Sequence, residues 1–331
     1  MKRLCLVLFL LVWSVALGDP VSGPTEVRPK VIGYVQNGRD LDAFARGFDF
    51  AKVTHLNVAF ENPTNAAGDL SFQPRNAALL EAARRQRVPV LVSIGGGGAA
   101  EDSVLKPRYF GLLREGQREG FVAKLVAYLD RHGFAGLDVD LEGPSINDDY
   151  GAFIADLGRA LKPKGKLLTA ALSKGYGGDR VPASALAHFD FVNVMAYDAT
   201  GPWAPKSPGP HSSLKFAEEN VAHWLDRGLP KSKLVLGVPF YGHGFGAAHR
   251  PGGYSYAEVL AAYPGAENRD EAGSTIWYNG LPTIRAKSRL VQEQGLAGVM
   301  IWALDHDVNG ERSLLNAIDA VLNPAPTPTA K

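Results

Sequence analysis

Short runs of apolar and β-branched residues recur eight times along this 331-residue chain, and their spacing limits its architecture more than any other feature. The runs are Val31–Val35, Val53–Phe60, Val88–Ser93, Gly136–Glu142, Lys166–Leu172, Phe189–Tyr197, Leu234–Phe240 and Gly298–Leu304. Between them apolar residues return every three or four positions, most clearly over Asn76–Gln86, Gly120–His132, Asp149–Leu161 and Leu214–Arg227, with a further helical pattern at Ser313–Leu322. Strands that alternate with helices imply parallel strands joined by crossovers. Eight such units in about 290 residues fit an α/β chain closed into a (β/α)8 TIM barrel, with an open doubly wound sheet as the alternative. Composition does not break between Val31 and Leu322, so residues 31–322 are expected to form one domain. The longest interruption, Gly242 to Thr283, is a short insertion between the seventh and eighth strands. It carries Tyr254, Tyr256, Trp277 and Tyr278, which either line a cleft or pack a small subdomain.

The ends of the chain read differently. Met1-Lys2-Arg3 is a basic start, Leu4 to Ala16 is almost wholly apolar, and Ala16-Leu17-Gly18 offers the small residues of a cleavage site, so residues 1–18 are expected to be a secretory signal. The apolar run is short beside the roughly 20 residues that span a bilayer, and an uncleaved anchor is the alternative. Residues 19–30 read as a linker and residues 323–331 (NPAPTPTAK) as an unpacked Pro/Thr tail. The whole chain has 35 basic and 34 acidic residues and a net charge of +1. Loss of Lys2 and Arg3 with the signal leaves one net negative charge, which gives no field to draw nucleic acid or a membrane surface. Cys5 is the one cysteine and leaves as well, excluding thiol catalysis, cysteine metal sites and disulfides. A secreted monomer, extracellular or periplasmic, is expected.

The chemistry concentrates in Phe134–Glu142. Asp138, Asp140 and Glu142 alternate with Leu137, Val139 and Leu141. Successive side chains of a strand point to opposite faces, so the three carboxyls share one face and the aliphatics the other. In a barrel the aliphatics suit the helix layer and the carboxyls point inward, with Glu142 at the C-terminal mouth where active sites of this fold sit. Three neighbouring carboxyls cannot all ionise cheaply, so at least one proton is expected to stay near neutral pH. A retained proton is what a general acid needs, and protonating a glycosidic oxygen is a natural use for it.

The run Gly136-Leu-Asp138-Val-Asp140-Leu-Glu142 resembles the DxxDxDxE signature of glycoside hydrolase family 18, the chitinase and endo-β-N-acetylglucosaminidase family. Ser93-Ile-Gly95-Gly96 is similar to its SxGG motif, Met195-Ala-Tyr197-Asp198 to its MxYD, and Gly298-Val-Met-Ile-Trp302 to its last-strand tryptophan, all in the family's order. The resemblance implies a retaining glycosidase acting on β-1,4 links of N-acetylglucosamine polymers. In that scheme Glu142 is the acid and then the base, and the substrate's own acetamido oxygen is the nucleophile. Asp140 would bond the acetamido N–H, Asp138 would share a proton with Asp140, and Tyr197 would donate to the acetamido oxygen. Trp302 would floor the sugar site and Asp198 would bind sugar hydroxyls. Met195 of the MxYD motif, Tyr241 of Pro239-Phe-Tyr241-Gly242, and Tyr34 and Phe60 at two strand ends are the further substrate-binding candidates, although Tyr34 and Phe60 could instead fill the barrel.

Two positions depart from the family pattern. Ala135 stands at its first acidic position, and His243 stands where arginine is common. Glycoprotein glycans or peptidoglycan are alternative substrates, and a silent sugar-binding barrel is the alternative to an enzyme. The brevity of the Gly242–Thr283 insertion implies a shallow cleft with limited processivity. No cofactor or metal is expected, because the eight histidines are scattered without an HExxH motif. Asp305–Gly310 imitates the start of a calcium loop, but the twelfth position is Asn316, so a turn into the last helix is expected. Ser93–Gly98 reads as a tight turn at the barrel rim.

Overall fold

The computed structural model describes residues 28–324, so the signal sequence, most of the linker and all but two residues of the tail lie outside the described residues. Twelve strands follow in chain order: β1 Lys30–Gln36, β2 His55–Ala59, β3 Val90–Gly95, β4 Gly136–Asp140, β5 Leu167–Leu172, β6 Phe191–Val194, β7 Leu234–Pro239, β8 Tyr241–Gly244, β9 Tyr254–Ser255, β10 Glu271–Ala272, β11 Ile276–Trp277 and β12 Gly298–Trp302. Strands β1 to β7 and β12 close a parallel barrel, each beside its neighbours in order, with β12 hydrogen-bonded to both β7 and β1. The expected (β/α)8 architecture is therefore the one observed.

Alternation along each barrel strand sorts side chains between two cores. Leu137, Val139 and Leu141 face outward into the helix layer, where they pack in one cluster with Phe121, Leu125, Phe153 and Ile154. Inside the barrel, Ile32, Phe191 and Val235 belong to a second cluster with Tyr34, Tyr197, Tyr241 and Met300. Register aligns the inward polar residues in one layer, with Ser93 opposite Asp138 and Asp138 opposite Thr169.

The insertion is a small subdomain. Strands β8 to β11 form a four-stranded antiparallel sheet beside the helix Tyr256–Ala262. Tyr256 and Tyr278 are fully buried and join the outer core, so these aromatics pack the subdomain rather than line a cleft.

Three details differ from the sequence pattern. The sixth strand stops at Val194, and Met195–Tyr197 continue buried but outside the ladder. The helix Leu281–Gln294 was masked in the pattern because Lys287 and Ser288 lie buried on the same face as Ile284, Leu290 and Val291, interrupting the apolar stripe. The fourth strand ends at Asp140, so Glu142 stands just past it. At the last helix, Asp307 accepts from the Leu314 and Leu315 amides and the Ser313 hydroxyl, the expected helix-entry turn.

Candidate active site

Gly95 and Gly96 end β3 with φ of 103° and 79°. A Cβ on Gly95 would lie 2.2 Å from the Asp140 carbonyl oxygen, and one on Gly96 would lie 2.5 Å from the Phe60 ring. Only glycine lets the backbone approach β4 this closely with positive φ. The Gly96 amide donates to the Asp140 carbonyl at 2.7 Å, and Asn62 clamps Gly95 through its amide at 2.7 Å and its carbonyl at 3.0 Å. The Ser93–Gly98 turn thus fixes the end of the carboxyl-bearing strand.

Four donors converge on Asp138. Oδ2 accepts from the Tyr34 hydroxyl at 2.6 Å and the Ser93 hydroxyl at 2.7 Å, while Oδ1 accepts from Thr169 at 2.5 Å and the Asn193 amide at 3.3 Å. Burial pushes its pKa up, and these four bonds oppose the rise. These four donors occupy both oxygens of the Asp138 carboxyl.

Asp140 has the opposite surroundings. It is 3% exposed, and its Oδ1 has no partner. Burial, then the charges of Glu142 and Asp138, hold its pKa well above the usual carboxylate range. Glu142 is pushed up to about 7 by burial and by the Asp198 charge. Its main chain is held by Ser145, whose hydroxyl accepts from the Glu142 amide at 2.8 Å and donates to its carbonyl at 2.6 Å. The ladder therefore passes from a carboxyl saturated with donors, through one whose pKa is held high, to an acid whose pKa lies near neutrality.

Around the mouth, Tyr197 is buried with its hydroxyl 3.9 Å from the Met300 sulfur, a weak acceptor. Trp302 is partly exposed, with Phe60 stacked at 5.6 Å and Tyr34 tilted at 5.3 Å. Of the sequence candidates, Phe60, Trp302 and Asp198 border the mouth. Tyr34 is 1% exposed and committed to Asp138, so it fills the barrel beneath the floor. Met195 is buried in the interior cluster with Tyr197.

Asp198 adopts φ 62°, a left-handed conformation that is costly outside glycine and that marks functional positions when the surroundings enforce it. Its Oδ1 is approached by the Tyr241 hydroxyl at 2.5 Å, His243 Nε2 at 2.9 Å and His211 Nδ1 at 3.2 Å. Desolvation would raise its pKa, but hydrogen bonds and charge from His211 and His243 hold it below the usual range.

Sequence reasoning missed three contributors, His211, Trp203 and Lys287, and singled out His243 only as a departure from the family pattern, without its partner Asp198. His211 and His243 lie 13 and 45 residues beyond Asp198, and nothing local in the sequence joins them. Trp203, 62% exposed, packs edge-on to His243 at 5.2 Å. Lys287, fully buried, donates to the Ser212 carbonyl at 2.7 Å, the Ser212 hydroxyl at 2.6 Å and Asn279 Oδ1 at 2.7 Å. Ser212 in turn donates to the Ala196 carbonyl at 2.7 Å, so Lys287 supports both the His211 loop and the Met195–Asp198 segment from behind.

A (β/α)8 barrel with acid–base carboxyls at its C-terminal mouth is the architecture of a glycoside hydrolase. Residues 30–307 match the family described as Glycosyl hydrolases family 18, and the chain belongs to it. "Probable chitinase 10" of Drosophila melanogaster is 31% identical over 288 residues, 68% of this chain and 12% of that protein. The class V chitinase of Arabidopsis thaliana is 28% identical over 330 residues, 82% of this chain and 86% of that one. Among solved structures, the GH18 chitinase ChiB from the chitin utilization locus of Flavobacterium johnsoniae superposes with a TM-score of 0.82 at 35% identity, covering 89% of this chain and 94% of that chain. The chain spans only part of several curated relatives, down to the 12% of the Drosophila protein.

Proposed function

We propose that this protein is a secreted retaining glycosidase that hydrolyses β-1,4 links in N-acetylglucosamine polymers, most simply chitin or chito-oligosaccharides. The observation that carries the mechanism is the geometry of the ladder: four donors saturate Asp138, Asp140 keeps a buried oxygen without a partner, and Glu142 stands beyond them at the mouth. Glu142, with a pKa near 7, gives its proton to the glycosidic oxygen as the C1–O bond breaks. Burial and the charges of Glu142 and Asp138 favour the protonated, poorly nucleophilic form of Asp140, and attack on C1 falls to the substrate's acetamido oxygen, forming an oxazolinium ion. The free Oδ1 of Asp140 is available to accept from the acetamido N–H, and the hydroxyl of Tyr197 to donate to the acetamido oxygen. Glu142, now a carboxylate, takes a proton from water as that water attacks C1 and reopens the ring. Trp302 offers a ring for the pyranose face, and Asp198 accepts from sugar hydroxyls. Secretion rests on the pattern of residues 1–18.

The test is a panel of colloidal chitin, chito-oligosaccharides, a high-mannose glycoprotein and peptidoglycan, assayed beside Glu142→Gln with products read by mass and anomer. Retained β-anomers from the N-acetylglucosamine substrates and an inactive variant are expected. Inverted product would remove the substrate-assisted step, equal rates would remove Glu142 from its role, and no turnover by either protein would indicate a sugar-binding barrel.

A further inference from the structure

We propose that Asp198, His211 and His243 form a binding site for a borderline divalent transition cation of the Zn2+ class, at the edge of the sugar cleft. The tautomer of His211 is the first support. Its Nε2 faces the Tyr241 carbonyl, at 3.3 Å, an acceptor for a proton carried on that nitrogen. In that tautomer the Nδ1 lone pair points toward Asp198, within 3.4 Å of its amide and 3.2 Å of carboxylate Oδ1, so a cation bound between them replaces the hydrogen bond that Nδ1–H gives Oδ1 in the metal-free site. An imidazole whose far N–H is tied to a backbone carbonyl, with its lone pair beside a carboxylate, is the usual orientation of a metal-ligating histidine. The ring is fully buried and wedged between Tyr241 and His243, at centroid distances of 5.2 Å and 4.8 Å, so it stays in this orientation.

The spacing is the second support. Zinc bonds of about 2.0–2.2 Å to nitrogen and oxygen place neighbouring tetrahedral ligand atoms about 3.3 Å apart. The two nitrogens stand 3.2 Å and 2.9 Å from Oδ1, and all three atoms lie within 4.8 Å of one another. Ligation through His243 Nε2 replaces its contact with Asp198 Oδ1 and moves its proton to the buried Nδ1, which has no partner, so His243 is the costlier of the two imidazole ligands. Asp198 is the exposed member, with 41% of its side chain accessible, so the remaining coordination position opens to the cleft. Two imidazoles and one carboxylate favour a borderline ion over Mg2+ or Ca2+, which prefer oxygen ligands.

A cation there occupies the carboxylate assigned above to sugar hydroxyls, so it competes with substrate. That competition rests on the proposed function; binding itself does not. The experiment is equilibrium dialysis of the full chain against Zn2+ alone, with metal and protein both quantified, repeated for Asp198→Asn and His243→Arg. The arginine keeps a donor for Asp198 but cannot ligate, and thermal melts check that each variant is folded. One equivalent bound by the wild type, at least about 100-fold weaker binding in both variants, and no Mg2+ binding support the site. Binding without a defined equivalent, or binding undiminished in either folded variant, overturns it. A rise in KM with unchanged kcat on adding Zn2+ supports competition, and unaltered kinetics at saturating Zn2+ overturns competition alone.

Discussion

Four hydrogen-bond donors meet at Asp138 and none at Asp140, although the two carboxyls are one pleat apart on the same strand. Donors stabilise the anion and burial alone does not, which sets the two carboxyls apart, while burial and the Asp198 charge push Glu142 up to about 7. Catalysis that needs protonated Glu142 therefore declines as pH rises through about 7, measured as the alkaline limb of kcat/KM. Glu142→Gln is expected to lower kcat by at least the 10²–10⁴-fold that acid–base catalysis contributes, roughly, with KM little changed. The same shift has a stability consequence. Between about pH 4.5 and pH 7 the folded state holds more protons at Glu142 than the unfolded chain, so this group lowers stability as pH rises through that window. Glu142→Gln is expected to melt with the wild type near pH 4.5 and above it at pH 7.5, and a constant gap between the two would contradict the shift. Tyr197→Phe removes a hydroxyl whose one partner is a sulfur 3.9 Å away, so the melt should hold while kcat/KM falls about 10²-fold, as for the loss of one preorganised donor. The ladder was legible in the sequence because a period of two within one strand fixes which side chains share a face. The histidines beside Asp198 were not, because only closure of the barrel brings residues so far apart in the chain together.

Among the elements, the helix Leu281–Gln294 shows how a buried charge serves a loop. The Lys287 ammonium has three donors, and the structure supplies three acceptors, two of them on Ser212. Burial nevertheless pushes its pKa down to about 7. Lys287→Met preserves the volume but leaves polar groups of Ser212 and Asn279 short of a donor, a loss of about 1–3 kcal/mol in urea unfolding. Because Ser212 follows His211 and binds Ala196, the variant should also raise KM more than it lowers kcat. Unchanged stability and KM would remove Lys287 from this supporting role. The strands were readable from their apolar runs, and so were the helices with unbroken stripes. This helix was obscured by the inward Lys287 and Ser288, whose burial depends on partners in another part of the chain.

At the scale of the molecule, the insertion shares the outer core with the barrel, since Tyr256, Val259 and Tyr278 belong to one cluster with barrel-helix residues. Calorimetry is therefore expected to show one cooperative transition for both, and two resolved peaks would mean that the insertion unfolds separately. The described residues contain no cysteine, so the transition should not move with added reductant. The closed barrel also governs traffic of protons. Below Asp138 lie Ile32, Phe191 and Val235, with His55 edge-on to Phe191 at 5.2 Å and pushed down to about 4 by burial, and Asp138 itself is fully engaged. Asp140 and Glu142 thus face solvent at the mouth. On the proposed function, a sugar seated on Trp302 would cover that opening, and the proton on Glu142 at capture would be the one given to the glycosidic oxygen. Protonation before capture would then set which encounters are productive.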